Sequence, residues 1–172
     1  GKGPFDRVYV AIGGGGLAAS VATWLKSYWP EVKVIGVEGV DQASMSAAFE
    51  NGGPTALEYV DIFCDGTAVT KVGKLTYEIC LRQLDEIITV TNQEVSAAIK
   101  LHWDGLRVIP EPSGAMSLAG YLQQQRESLV GEEEKVLTIL CGANMDFAKL
   151  SDISRQAGVN PRQDRSWRFT IP

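Results

Sequence analysis

Apolar residues along this chain recur at two spacings, and the alternation predicts its elements. Arg7-Val8-Tyr9-Val10-Ala11-Ile12 is a short run of β-branched and aromatic residues, which reads as a buried strand. From Leu17 to about Trp29 the apolar positions Val21, Trp24, Leu25 and Trp29 follow helical spacing, and Pro30 marks the stop. Residues 32–38 read as a second strand. The resulting strand–helix–strand unit implies a right-handed crossover and a parallel pair.

The same alternation continues. Asp41 to about Asn51 reads as a short helix closed by Asn-Gly-Gly-Pro, residues 55–69 as irregular, and Val72 to about Leu84 as a helix. Residues 86–90 form a third strand. Thr91-Asn92-Gln93-Glu94 has the spacing of a capping box and opens a helix reaching about Trp103. Glu111-Pro112-Ser113-Gly114 starts another helix, running to about Gln125. Glu132-Glu133-Glu134 reads as a solvated loop, residues 136–140 as the fourth strand, and a last helix follows Cys141-Gly142-Ala143-Asn144. The expected fold class is α/β: an open, mainly parallel sheet with flanking helices.

Composition narrows the function classes. The 172 residues are 45% hydrophobic and 22% charged, enough for one domain with a real core. A net charge of -5 argues against a general affinity for nucleic acid or anionic membranes. Cys64, Cys80 and Cys141 lack CxxC spacing, so they read as reduced thiols, consistent with a cytoplasmic location or a plastid in a plant. No apolar stretch approaches the roughly 20 residues of a membrane span.

The candidate chemistry begins at Ile12-Gly13-Gly14-Gly15-Gly16-Leu17. A strand, a bare glycine loop and a helix start together make an anion site, where amides and the positive end of the helix dipole receive a phosphate. Tight helix–sheet packing is the plainer alternative. Gly14-x-Gly16-x-x-Ala19, with Glu38 about 20 residues on, also satisfies a dinucleotide fingerprint, so an NAD-binding oxidoreductase domain stays open at this point. Three further stretches bear on the choice: Asp65-Gly66-Thr67-Ala68-Val69, Glu111-Pro112-Ser113-Gly114-Ala115, and Cys141-Gly142-Ala143-Asn144-Met145-Asp146-Phe147.

In their order, GGGGL, GVE, DG-x-AV, EPSGA and CGANMDF resemble the fold-type II pyridoxal-phosphate enzymes, and most of all the threonine/serine dehydratase family. The resemblance implies the C-terminal half of a catalytic domain (residues 1–160), within the large cofactor-binding domain of the tryptophan synthase β-like fold. It leaves residues 161–172 as a tail or a junction toward a regulatory domain. It implies that Gly13, Gly14, Gly15, Gly16 and Leu17 hold the phosphate of pyridoxal 5'-phosphate. By the same resemblance Cys141, where the family usually carries serine, meets the pyridine nitrogen, and Glu111 lies near that ring edge. A buried apolar thiol and a helix-start carboxylate are the plainer roles for these two.

The implied reaction is β-elimination of water from L-threonine, or from L-serine, giving 2-oxobutyrate or pyruvate and ammonia, a step of amino-acid and isoleucine metabolism. The family's Schiff-base lysine has no counterpart in this chain: none of Lys2, Lys26, Lys33, Lys71, Lys74, Lys100, Lys135 or Lys149 stands in a matching context. The expectation is therefore a piece that needs a preceding half, has no catalytic residue of its own, and forms a homo-oligomer. A non-catalytic regulatory or binding subunit of the same fold is the competing expectation. Ser44 stands about where divalent-ion-binding relatives carry a further acid, so no metal is expected, and Glu38 becomes a strand-end acid. His102, the only histidine, is expected to serve packing or surface.

Overall fold

A computed structural model describes residues 3–158. Residues 161–172, expected to be a tail or junction, lie outside the described residues. Four strands, β1 (Arg7–Ala11), β2 (Lys33–Gly39), β3 (Glu86–Val90) and β4 (Val136–Thr138), form one sheet in the order β3-β2-β1-β4. Every pairing is parallel, with Val10 opposite Gly36 and Val8 opposite Leu137. Among the described residues six helices flank it: α1 (Gly16–Tyr28), α2 (Ser44–Glu50), α3 (Lys74–Gln83), α4 (Asn92–Leu106), α5 (Pro112–Arg126) and α6 (Leu150–Ala157).

The period of two along β1 explains why both sheet faces are covered. Val8, Val10 and Ile12 pack with Ala18, Ala22 and Leu25 of α1 and with Tyr77 and Cys80 of α3. Tyr9 and Ala11 point the other way, into a second core with Val95 and Ile99 of α4 and with Met116 and Leu122 of α5. A strand buried on both faces has no room for a polar alternation, which is why all five β1 residues are buried. Helix α5 lies closest to the sheet and touches all four strands. Its small residues permit this approach: a Cβ on Gly120 would stand 2.7 Å from Val37 Cγ2. The capping box at the start of α4 forms as the spacing predicts, Glu94 N–H donating to Thr91 Oγ1 at 3.3 Å and Thr91 N–H to Glu94 Oε2 at 2.9 Å.

Three expectations are corrected. The helix expected over residues 41–51 is a single 3₁₀ turn at Val40–Gln42 followed by α2, because Ala43 takes a non-helical conformation and the Glu38 carboxylate binds the amides of Met45 and Ser46. The fourth strand pairs only through Thr138. The acidic loop is not wholly solvated. Glu134 forms an ion pair with Arg7, whose guanidinium also donates to Leu129 O at 2.7 Å. Beside it, Tyr9 Oη donates to Gln124 Oε1 at 2.7 Å, and Gln124 Nε2 donates to Glu86 Oε2 at 3.0 Å. A buried hydroxyl left without a partner costs about 1–3 kcal/mol, so this network is what lets polar atoms end the core beneath β1. No helix among the described residues is long and apolar enough to cross a membrane.

Candidate cofactor site

Strand β1 has β2 on one side and β4 on the other. The chain leaving β1 enters α1 on one face of the sheet, whereas the chain leaving β4 reaches α6 on the opposite face. The divergence opens a crevice at the carboxyl ends of β1 and β4, the place where open α/β sheets receive ligands. The glycine run follows β1 and Cys141 follows β4, so the fold brings both to the same crevice.

The four glycines are not equivalent. Gly15 is the N-cap of α1 at φ 88°, and a Cβ on it would stand 2.5 Å from Met45 Cε and 3.0 Å from Thr76 Cβ. A Cβ on Gly13 would stand 3.0 Å from Thr67 Cα. Gly13 and Gly15 are therefore bare for reasons of packing. Gly14 and Gly16 are exposed, and a Cβ on either would meet no atom of the protein within 4 Å. Helix α1 has no side-chain cap and no acidic residue in its first turn, so the amides of Gly16, Leu17 and Ala18 have no intrahelical acceptor. Thr76 Oγ1 donates to Gly14 O at 2.6 Å. Because C=O and N–H of a trans peptide point in opposite directions, this anchor turns the Gly15 N–H away from Thr76. Bare backbone, unshared amides and the positive helix end together form a cradle for a compact dianion.

The opposite wall of the crevice is built from three sequence-distant stretches. Glu111 is the N-cap of α5, but its side chain does not bond the helix amides. The carboxylate instead lies between two glycines: a Cβ on Gly142 would stand 2.3 Å from Glu111 Oε1, and one on Gly66 2.8 Å from it. The Glu111 N–H donates to Gly142 O at 3.3 Å, and Gly142 takes φ 86°. Gly114 lies directly under the Cys141–Gly142 backbone. Glu111 thus occupies the helix start without a side-chain cap bond, its carboxylate packed against Gly66 and Gly142. Burial, and secondarily the Glu111 charge, push the Cys141 thiol up from its ordinary range. Cys64 and Cys80 are pushed up to about 12 and about 11, chiefly by burial.

A raised thiol is neutral near pH 8 and therefore a poor nucleophile. Alkylation of the native protein at that pH, followed by mass spectrometry, should modify Cys141 more slowly than a free thiol. Glu111→Gln removes the neighbouring charge, lowers the thiol's pKa and should speed modification severalfold; an unchanged rate would separate the two groups electrostatically.

Other predicted residues fall elsewhere. Glu38 is fully buried, and its two oxygens receive Met45 N–H at 2.7 Å, Ser46 N–H at 2.9 Å and Ser46 Oγ at 2.7 Å. It caps the start of α2 and, being fully buried, is out of reach of a ribose. His102 is buried in α4, with Nδ1 2.9 Å from Ala98 O. Asn144 is exposed in the loop after Cys141. Sequence reasoning missed Thr76, Gln42, Thr67 and Ser113; Thr67 and Ser113 lay inside stretches already singled out, but nothing in their spacing revealed the contacts.

Residues 1–142 match the sequence profile of a family described as pyridoxal-phosphate dependent enzyme. The chain is similar to the biosynthetic L-threonine dehydratase of Haemophilus influenzae, with 39% identity over 167 residues, which is 97% of this chain and 32% of that protein. It is similar to the chloroplastic biosynthetic threonine dehydratase of Arabidopsis thaliana at 37% identity, covering 99% of this chain and 29% of the relative. Among solved structures, the processed form of threonine deaminase isoform 2 from Solanum lycopersicum superposes with a TM-score of 0.87 at 40% identity, over 90% of this chain and 45% of that one. The chain thus spans about a third of the length of these curated relatives.

Proposed function

The chain belongs to the pyridoxal-phosphate dependent enzymes, and from that premise we propose that it is the cofactor-phosphate half of a threonine dehydratase catalytic domain. The observation that carries this reading is the convergence of the glycine loop, the Glu111 helix start and the Cys141–Gly142 loop on one crevice beside an uncapped helix. The cradle fits the cofactor's phosphate, since Gly14 and Gly16 leave space where any side chain would project.

When bound, pyridoxal 5'-phosphate supplies an electron sink for the substrate's α-carbon. The chain's own residues do the rest of what this half contributes. The amides of the Gly13–Leu17 loop hold the dianion with charge-assisted bonds, without a lysine or arginine. Cys141 would present a neutral thiol to the cofactor's ring edge, a weak donor that would not hold a ring nitrogen protonated. That environment favours elimination of a β-hydroxyl over reactions that need a long-lived carbanion. Burial, and secondarily the charge of Glu111 beside it, keeps the thiol in its neutral form. Lys149, which reaches the turn beside Glu111, pairs with Asp65 at 2.7 Å.

L-Threonine is the substrate this reading favours, with L-serine as the smaller competitor. The test uses the purified protein at its natural length, supplied with pyridoxal 5'-phosphate and either amino acid. Formation of 2-oxobutyrate and ammonia in equal amounts from L-threonine is expected; no 2-oxoacid from either substrate would overturn the assignment.

A further inference from the structure

One buried hydroxyl joins the two ends of the crevice. Thr67 closes a single 3₁₀ turn, Asp65–Thr67, in the middle of the irregular stretch between α2 and α3. Its Cα stands where a Cβ on Gly13 would come within 3.0 Å, so Thr67 is the surface on which the first cradle glycine rests. The preceding residue, Gly66, faces the other way, against Glu111 Oε1 and Ser113 Oγ. The three-residue turn is thus a spacer between the glycine cradle and the Glu111–Cys141 wall.

The position of this spacer is set by a directed chain of hydrogen bonds. Gln42 Nε2 donates to Asp61 O at 2.5 Å and to Cys64 O at 3.2 Å, which leaves Gln42 Oε1 as an acceptor. Thr67 Oγ1 lies 3.1 Å from that oxygen and 3.0 Å from Cys64 O, two acceptors between which its single proton is shared. A hydroxyl has one proton, so Thr67 Oγ1, 3.3 Å from Ser113 Oγ, accepts there and Ser113 donates. Gln42, Thr67 and Ser113 are all buried, which removes water as a substitute partner. The chain runs from the β2 end through the spacer to the first turn of α5.

The geometry points to Thr67 as a positioning residue: through Gln42 and Ser113 it fixes the distance between the phosphate cradle and the ring-facing wall. This rests on the cofactor reading above. Its consequence is selective, because a ligand that spans both ends needs the distance, whereas a ligand that fills only the cradle does not. Pyridoxal 5'-phosphate spans both; inorganic phosphate fills the cradle alone.

The test measures both affinities by calorimetry on the protein at its natural length. Thr67→Val removes the hydroxyl and leaves Gln42 Oε1 without its donor. Ser113→Ala breaks only the link to α5 and leaves Thr67 still bonded to Gln42 and Cys64, so it keeps a folded protein in hand if the first variant is unstable. In both, affinity for pyridoxal 5'-phosphate should fall about tenfold, the weight of one buried hydrogen bond. Inorganic phosphate should bind as in the parent, and Thr67→Ser should restore the cofactor affinity. Equal weakening of both ligands, or of neither, would overturn the positioning role while leaving the cofactor reading intact. A parent protein that binds pyridoxal 5'-phosphate no more tightly than inorganic phosphate would overturn the cofactor reading and the inference with it.

Discussion

Gly114→Ala should lower stability by about 2 kcal/mol and abolish cofactor binding, the largest effect expected from adding a single methyl group to this protein. Gly114 sits in the first turn of α5, where alanine would ordinarily help a helix by up to about 1 kcal/mol. Here the added carbon would stand 2.1 Å from Cys141 O and 2.7 Å from Gly142 O. Both contacts are backbone, so no side chain can swing aside, and the loop itself must move. Overpacking of this kind costs about 1–3 kcal/mol, and a clash this close belongs at the upper end, so it outweighs the helix gain. Displacing the loop also carries Cys141 and Gly142 away from Glu111, which dismantles the ring-facing wall. Urea denaturation should show the midpoint falling by about 1 M, taking a slope near 2 kcal/mol per M. Gly53→Ala, where a Cβ meets nothing within 4 Å, serves as the control and should leave the midpoint in place. A Gly114→Ala midpoint equal to the control's would show that the loop yields freely.

Gly15→Ala and Gly16→Ala, one residue apart, should fail in different ways. At Gly15 the φ of 88° opposes any Cβ by about 1–2 kcal/mol, and the contact with Met45 Cε adds to it. That variant loses stability and binding together. At Gly16 the backbone is helical and the space is open, so stability should stay within about 0.5 kcal/mol of the parent. Yet the methyl group stands beside the unshared amides of the helix start, and losing one charge-assisted amide contact there costs about 1.5–3 kcal/mol, or roughly ten- to a hundredfold in affinity for pyridoxal 5'-phosphate. Denaturation and calorimetry on the two variants separate the effects. Unchanged affinity in Gly16→Ala, and in Gly14→Ala beside it, would remove the glycine loop from the binding site.

The elements that local sequence could name are those whose cause is local. The capping box of Thr91 and Glu94 lies within four residues, and it forms as its spacing predicts. The unbroken apolar run of β1 implied a buried strand because no polar face was available. The helix expected at residue 41 starts later because Glu38, lying before it, reaches forward to bind the amides of Met45 and Ser46. That same engagement removed the dinucleotide alternative, which spacing alone had left standing. In the acidic loop Glu132 and Glu133 are exposed as expected, whereas Glu134 finds Arg7 across 127 positions of sequence.

By itself, then, the sequence determined the alternation of strands and helices, the parallel sheet, and the ordered motifs that identify the family. These depend on residue type and on separations of a few positions, where side-chain periodicity and backbone propensity act directly. Only the tertiary structure decided which glycines are bare for packing and which for a ligand. It alone set the Glu111 carboxylate against Gly66 and Gly142, and seated Thr67 between the two ends of the crevice. Each of those outcomes is a contact between distant stretches, such as Gly142 on Glu111 across 31 positions and Gly13 on Thr67 across 54. Whether a Cβ meets backbone, a flexible side chain or open space is a property of the packed layers, and no local pattern encodes it.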